Sequence, residues 1–200
     1  METPKFNNKP NAHVRYNYSD GCGLNVNQDF WISRATAIVG IVLASTKDGL
    51  QVLTAKRSKK MRDEANKVGV PCGYLDWGET RYEAMIREIY EETSLYLPDY
   101  EKMLIFNNNQ DAIIVKDNPN TDKRQNVSHI FLSVFDFTEC PDKFPLFVEL
   151  YSSKETAWVK WMRLLTFYER CDDYNWAFHH DETIKNAITF FNKNFERKEK

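Results

Sequence analysis

Between Gly73 and Leu95 the chain reads GYLDWGETRYEAMIREIYEETSL, 23 residues that hold six acids and two arginines. At about 100° per residue, Tyr82, Ile86, Ile89 and Thr93 share one side of a helix over residues 79–93, flanked by Met85 and Tyr90. That stripe has to be covered by a sheet or a second layer. Glu88, Glu91 and Glu92, at i, i+3 and i+4, gather on the far side. Like charges at this spacing destabilise an isolated helix by about 0.2–0.5 kcal/mol per pair, so the cluster is either left to solvent or compensated by a cation. Taken alone, the spacing fits an ordinary solvated face. Two neighbours favour the cation. Ala84 lies one turn before Glu88 and leaves room for a loop or ligand. Arg87 stands four residues from both Glu83 and Glu91 and can fix a carboxylate with a forked hydrogen bond. Clustered carboxylates suit a hard divalent ion, Mg²⁺ or Mn²⁺.

The rest of the chain supplies the sheet. ATAIVGIVLAS (35–45) is a β-branched apolar run and reads as a buried strand. After the turn STKDG, LQVLTAKR (50–57) reads as its hairpin partner. EKMLIFNNN and DAIIVKD suggest short strands, and VSHIFLSVFDF (127–137) a long one. AWVKWMRLLTFYERC combines a strand end with a short helix. A last helix is expected over 182–197, capped by Asp181, with Ile184, Ala187, Ile188, Phe191 and Phe195 on one face. Hairpins mixed with helices predict an α+β fold, an α/β/α sandwich with a mixed β-sheet between helices. Residues 1–34 are polar with scattered aromatics and read as an N-terminal arm. Residues 35–200 read as the domain, including the C-terminal helix.

Composition excludes several classes. With 42% hydrophobic residues in 200, the chain can bury a core. A net charge of −2 offers no broad basic surface for nucleic acid. Cys22, Cys72, Cys140 and Cys171 form no CxxC pair, which argues against a zinc ribbon. The N-terminus lacks the apolar core of a signal peptide, and no run reaches a membrane span. A cytoplasmic protein with reduced thiols is expected, with no membrane partner.

The segment 73–95 resembles the signature of the Nudix hydrolase family: Gly, five residues, Glu, seven residues, Arg-Glu, an aliphatic, any residue, Glu-Glu, any residue, Gly, an aliphatic. Here these are Gly73, Glu79, Arg87-Glu88, Ile89, Glu91-Glu92 and Leu95, with Ser94 in place of the last glycine. That glycine would be a left-handed helix cap. Ser94 therefore affects stability rather than chemistry. The resemblance implies a Mg²⁺-dependent hydrolase that cleaves the pyrophosphate bond of a nucleoside diphosphate linked to another moiety. Metal ions would polarise a phosphoryl oxygen and lower the pKa of an attacking water. It further implies that Glu88, Glu91 and Glu92 bind metal, that Glu79 supports them, that Arg87 orients a glutamate, and that the Gly73 backbone shapes the metal site. An acid from a later loop often serves as base. Glu155, ahead of the tryptophan-bearing AWVKWM, is the first choice, with Glu149 and Glu139 as rivals.

The substrate is expected to be a small-molecule nucleotide. Lys56 and Arg57 could meet its phosphates, and Tyr74 and Trp77 could stack on a base. Phe30 and Trp31 fit a core or interface better than a base pocket, and Lys123 and Arg124 a solvated loop better than a lid. His129 reads as a packed core histidine, and His179 and His180 as capping or surface residues. The array SQPWPFPxS, associated with NADH, is absent. So are the marks of ADP-ribose and dinucleoside polyphosphate preference. The arm is a candidate homodimer contact. The alternative is a Nudix-like domain that binds and senses a nucleotide without cleaving it. An RNA-cap hydrolase would need a basic groove.

Overall fold

The computed structural model describes Lys5 and residues 12–19, 25–32, 36–117, 126–145 and 155–195. In chain order it contains strands β1 (Ala12–Ser19), β2 (Asn25–Ile32), β3 (Thr36–Thr46), β4 (Gly49–Arg57), β5 (Val68–Gly69) and β6 (Cys72–Tyr74), then helix α1 (Arg81–Thr93). Strands β7 (Leu104–Phe106), β8 (Ile114–Lys116), β9 (Val127–Asp136) and β10 (Thr156–Arg163) follow, and helices α2 (Leu164–Arg170) and α3 (His180–Phe195) close the series.

The long apolar strands expected at 35–45 and 127–137 become β3 and β9, which run parallel through ten registered pairs from Thr36↔Val127 to Ser45↔Asp136. The order β10–β4–β3–β9–β7 is otherwise antiparallel, with β5 on β4, β6 on β3 and β8 on β9. The sheet is therefore mixed, and a helical layer covers each face. Side chains alternate along β3. Ile38, Val42 and Ala44 pack with Ala84, Met85 and Ile89 of α1. Val39, Ile41 and Leu43 pack with Phe167 of α2 and Ile184, Ala187, Ile188 and Phe191 of α3. Gly40 lets α1 approach closely: a Cβ there would lie 2.7 Å from Cδ1 of Ile89. Among the described residues no helix is long and apolar enough to cross a membrane.

Several expectations change. The arm contains a hairpin, β1 paired with β2 from Ala12↔Ile32 to Ser19↔Asn25. The side chains of Phe30 and Trp31, and the proposed dimer contact, lie outside what is described. So do Lys123, Arg124 and Glu149. Helix α3 starts at His180, which places Asp181 inside its first turn instead of at its cap. The N-cap of α1 is Thr80. Its hydroxyl accepts from the Glu83 N–H at 3.2 Å, while the Glu83 carboxylate accepts from the Thr80 N–H at 2.7 Å. This capping box was legible as T-x-x-E in TRYE, and it takes Glu83 away from Arg87. Ala84 is fully buried in the core and opens no space for a ligand.

Ser94 ends α1 in the left-handed conformation, φ 60°, its N–H donating to the Tyr90 carbonyl at 2.7 Å. A residue with a Cβ pays for that conformation and glycine does not. Ser94→Gly is expected to raise stability by about 1 kcal/mol, or about 2–4 °C in Tm, read by thermal melting.

His180 is buried rather than on the surface, only 3% exposed. Its Nδ1 accepts the Val70 N–H at 3.1 Å, which places any ring proton of the neutral form on Nε2. Burial, helped by the charges of Arg57, Lys116 and His179, pushes its pKa down to about 3. Below the ordinary value of 6.5 the unfolded chain takes up a proton that the native ring refuses, so stability falls as pH drops from 6.5 toward 3. Relative to His180→Asn, which keeps an acceptor near Nδ1, the parent should lose about 1 kcal/mol per pH unit between pH 6 and 4. Urea unfolding at both pH values measures this, and parallel profiles would refute it.

Candidate active site

Strand β6 carries Gly73 onto the sheet opposite Ile38. The loop 75–80 then turns the chain into α1, whose later turns lie back across β6. Gly73 is where the two meet, because a Cβ there would collide with the carboxylate of Glu88. Only a bare backbone leaves this space for an acid side chain.

Arg87 organises the acids. It is 3% exposed, and each of its five N–H donors has a bond. Nε donates to Glu79 Oε2 at 3.0 Å, and one terminal nitrogen to Glu79 Oε1 at 2.7 Å and the Tyr74 carbonyl at 2.9 Å. The other donates to Glu88 Oε1 at 2.7 Å and Glu91 Oε2 at 3.0 Å. Glu79 also accepts the Asp76 N–H at 2.9 Å, which ties the loop to the helix. Burial works against the charge of Arg87, but the carboxylates of Glu79 and Glu88 outweigh it and hold the guanidinium more firmly protonated than usual.

Glu88 and Glu92 are buried, which no wheel of the isolated helix conveys. Burial pushes Glu88 up to about 7 despite Arg87, with the Glu91 and Glu155 charges adding to the shift. Glu92 accepts the Cys72 N–H at 3.5 Å. Its pKa is raised well above the usual carboxylate range by burial and then by Glu88, with Arg57 opposing. The Cys72 thiol is also pushed up, by burial and by Glu92, so it is no nucleophile here.

Two residues at the β4–β10 edge act on this cluster through their charge. Glu155 stands immediately before β10, and its carbonyl accepts the Ser58 N–H at 2.6 Å. Its charge acts on Glu88, Glu92 and Cys72. Arg57 ends β4, paired with Thr156, and its Nε donates to the Asp63 carbonyl at 3.2 Å. Glu139 is exposed and has no described link to the cluster.

The other substrate candidates spread out. The Tyr74 hydroxyl accepts from the Asn126 amide at 3.1 Å. Trp77 is 51% exposed on the loop. Lys56 is half-buried, pairs with Trp158 and Val68 in the sheet, and makes no described hydrogen bond to the acids. His129 is half-buried and partnered by Arg81 at 2.9 Å, which corrects the reading of a packed core histidine. Sequence reasoning missed Asp76, 4.0 Å from Arg87, and Phe178, whose ring lies under Arg57. Asp76 sits within the signature and could have been flagged; no local signal marks Phe178.

Among the described residues no three His, Cys, Asp or Glu side chains already converge as a metal-binding group. Glu88 and Glu91 each turn an oxygen to Arg87 instead. The donor chemistry nevertheless fits a hard divalent ion: Glu88 and Glu92 are two desolvated carboxylates that repel one another, beside a glycine cradle.

The comparisons with known proteins agree with this architecture. The NUDIX domain profile matches residues 34–186. The chain belongs to the Nudix family. Its fold is similar to a bifunctional NMN adenylyltransferase/ADP ribose pyrophosphatase from Francisella tularensis, complexed with AMP and manganese. The match has TM-score 0.57 and 23% identity, over 77% of this chain and 41% of that one. This chain thus spans less than half of that protein's length. It is also similar to an Ap4A hydrolase from C. elegans, with TM-score 0.53 and 17% identity over 80% and 97% of the two chains. The NUDIX domain of NrtR from Shewanella oneidensis, complexed with ADP ribose, matches with TM-score 0.51 and 18% identity over 77% and 86%. No curated protein matches the chain.

Proposed function

We propose that this chain is a Mg²⁺-dependent pyrophosphohydrolase acting on a nucleoside diphosphate linked to another moiety, such as a nucleotide sugar or ADP-ribose. One observation supports this above the rest. Glu88 and Glu92 are both buried against the Gly73–Cys72 backbone with their proton affinities raised, an arrangement that costs stability unless a cation is bound. Manganese would serve the same ligands.

In this reading Glu88, Glu91 and Glu92 hold the metal, with Glu79 and the Gly73 backbone in support, while Arg87 fixes the carboxylates. A bound divalent ion supplies positive charge to the diphosphate and acidifies water. Glu155 takes the proton as a water oxygen forms its bond to one phosphorus. The bond from that phosphorus to the bridging oxygen breaks, and the bridging oxygen leaves with the other phosphate. Arg57 and Lys56 bind phosphate oxygens, and Tyr74 and Trp77 flank the base or sugar.

The test is a panel of ADP-ribose, NADH, ADP-sugars, dinucleoside polyphosphates and dNTPs with Mg²⁺, following phosphate-containing products, against EDTA and Glu88→Gln controls. Cleavage of one substrate class that both controls abolish is the expected result. Tight nucleotide binding without any turnover would reject hydrolysis and leave a sensor.

A further inference from the structure

Phe178 is an unusual residue to find where it is. It is apolar, yet 45% exposed, and its backbone is left-handed, φ 50°, followed by His179 at φ 55°. Two consecutive non-glycine residues in this region are costly and persist only where the flanks force them. Here both flanks are pinned. The Val68 N–H donates to the Asn175 carbonyl at 2.9 Å, and the Ala177 N–H returns to the Val68 carbonyl at 2.8 Å. On the other side His180 donates its N–H to the Ala177 carbonyl at 2.9 Å, and its ring accepts from Val70.

What the strained turn presents is a ring beneath a guanidinium. The Arg57 guanidinium carbon lies 5.1 Å from the Phe178 centroid, within cation–π range. Arg57 is tethered at Nε by the Asp63 carbonyl. Among the described residues its two terminal nitrogens have no hydrogen bond or ion pair. Its charge is felt by Glu92 and Cys72, yet it pairs with no described carboxylate. The ring and the tether fix the plane of the fork while leaving its outer edge open, a geometry suited to two oxygens of a phosphate.

We infer that Phe178 is a positioning residue that holds Arg57 as the phosphate-receiving arm of this site, by stacking under its guanidinium while the terminal nitrogens face the ligand. This rests on the diphosphate substrate proposed above and adds a residue, 83 positions after the end of the signature, on which phosphate affinity depends. Stacking lowers the number of orientations Arg57 must give up on binding, so its loss weakens affinity without removing a ligand contact.

A double-mutant cycle tests this, with α,β-methylene-ADP and Mg²⁺ in titration calorimetry on the full chain. Phe178→Leu should raise Kd by about 3–10-fold, the scale of one cation–π contact. Phe178→Tyr, which keeps the ring, should bind within about 2-fold of the parent. In an Arg57→Ala background the same Phe178→Leu change should cost almost nothing, because the ring has no fork left to hold. An equal loss in both backgrounds, or none in either, overturns the inference and leaves the hydrolase reading intact. Failure of the parent itself to bind the diphosphate overturns both.

Discussion

Glu92→Gln is expected to slow hydrolysis by about 100-fold or more while making the metal-free protein harder to unfold. Both effects have one cause. Glu92 is buried beside Glu88, and its pKa is raised by that burial and by its neighbour's charge. As pH rises above the ordinary carboxylate value, the unfolded chain releases this proton first, so native stability declines until the folded group also ionises. Glutamine keeps the shape and an oxygen for the Cys72 N–H but never carries the charge. The variant's advantage should therefore be small at pH 4.5 and largest at pH 8, each kcal/mol appearing as about 2–4 °C in Tm. Mg²⁺ should reverse the ranking. An ion at 100 times its Kd stabilises the native state by about 2.7 kcal/mol, and only the parent retains the full set of donors. Melting curves at both pH values, with and without Mg²⁺, decide it. A variant less stable than the parent at pH 8 without metal would mean that Glu92 is a satisfied structural acid.

That trade could not be read from spacing alone. The i, i+3, i+4 acids and the Arg87 between them were legible because helical period is a local property. Burial of Glu88 and Glu92 is not local. It arises because β6 pairs with β3 and lays Gly73 under the helix, a contact set by the sheet. The same limit misplaced Ala84, which on a wheel of the isolated helix flanks the acids but in the fold packs into the core with Met85 and Ile89. His180 looked like a surface or capping residue because nothing nearby announces that Val70, 110 residues earlier, donates to its ring. Long apolar strands fared better. β3 and β9 are central, covered on both faces, and their composition reflects that directly. Their parallel pairing was beyond the sequence, since register across some 90 residues leaves no local trace. The hairpin in the arm was missed because its strands mix polar and aromatic residues without strict alternation.

Arg87→Lys should be the most destabilising conservative change in the site, by about 2–4 kcal/mol, lowering Tm by about 8 °C. Five guanidinium donors meet three carboxylates and one carbonyl. An ammonium has three donors at a single point and cannot span Glu79 and Glu88 together. The partners do not contribute equally. The Glu91 side chain is 50% exposed, so its pair with Arg87 is screened, and Glu91→Gln should cost no more than about 1 kcal/mol. The Glu79 and Glu88 side chains are 7% and 11% exposed, and a lysine, though still charged, leaves one of these buried carboxylates without the hydrogen bonds the fork supplied. Urea denaturation of Arg87→Lys, Glu91→Gln and the double variant separates the contributions, and equal losses for the two single variants would refute this division. Catalysis should follow the same division if Arg87 acts by fixing Glu88. Arg87→Lys would then lower kcat even at saturating Mg²⁺, because added ion fills a site but does not restore the direction of a carboxylate that the fork had set.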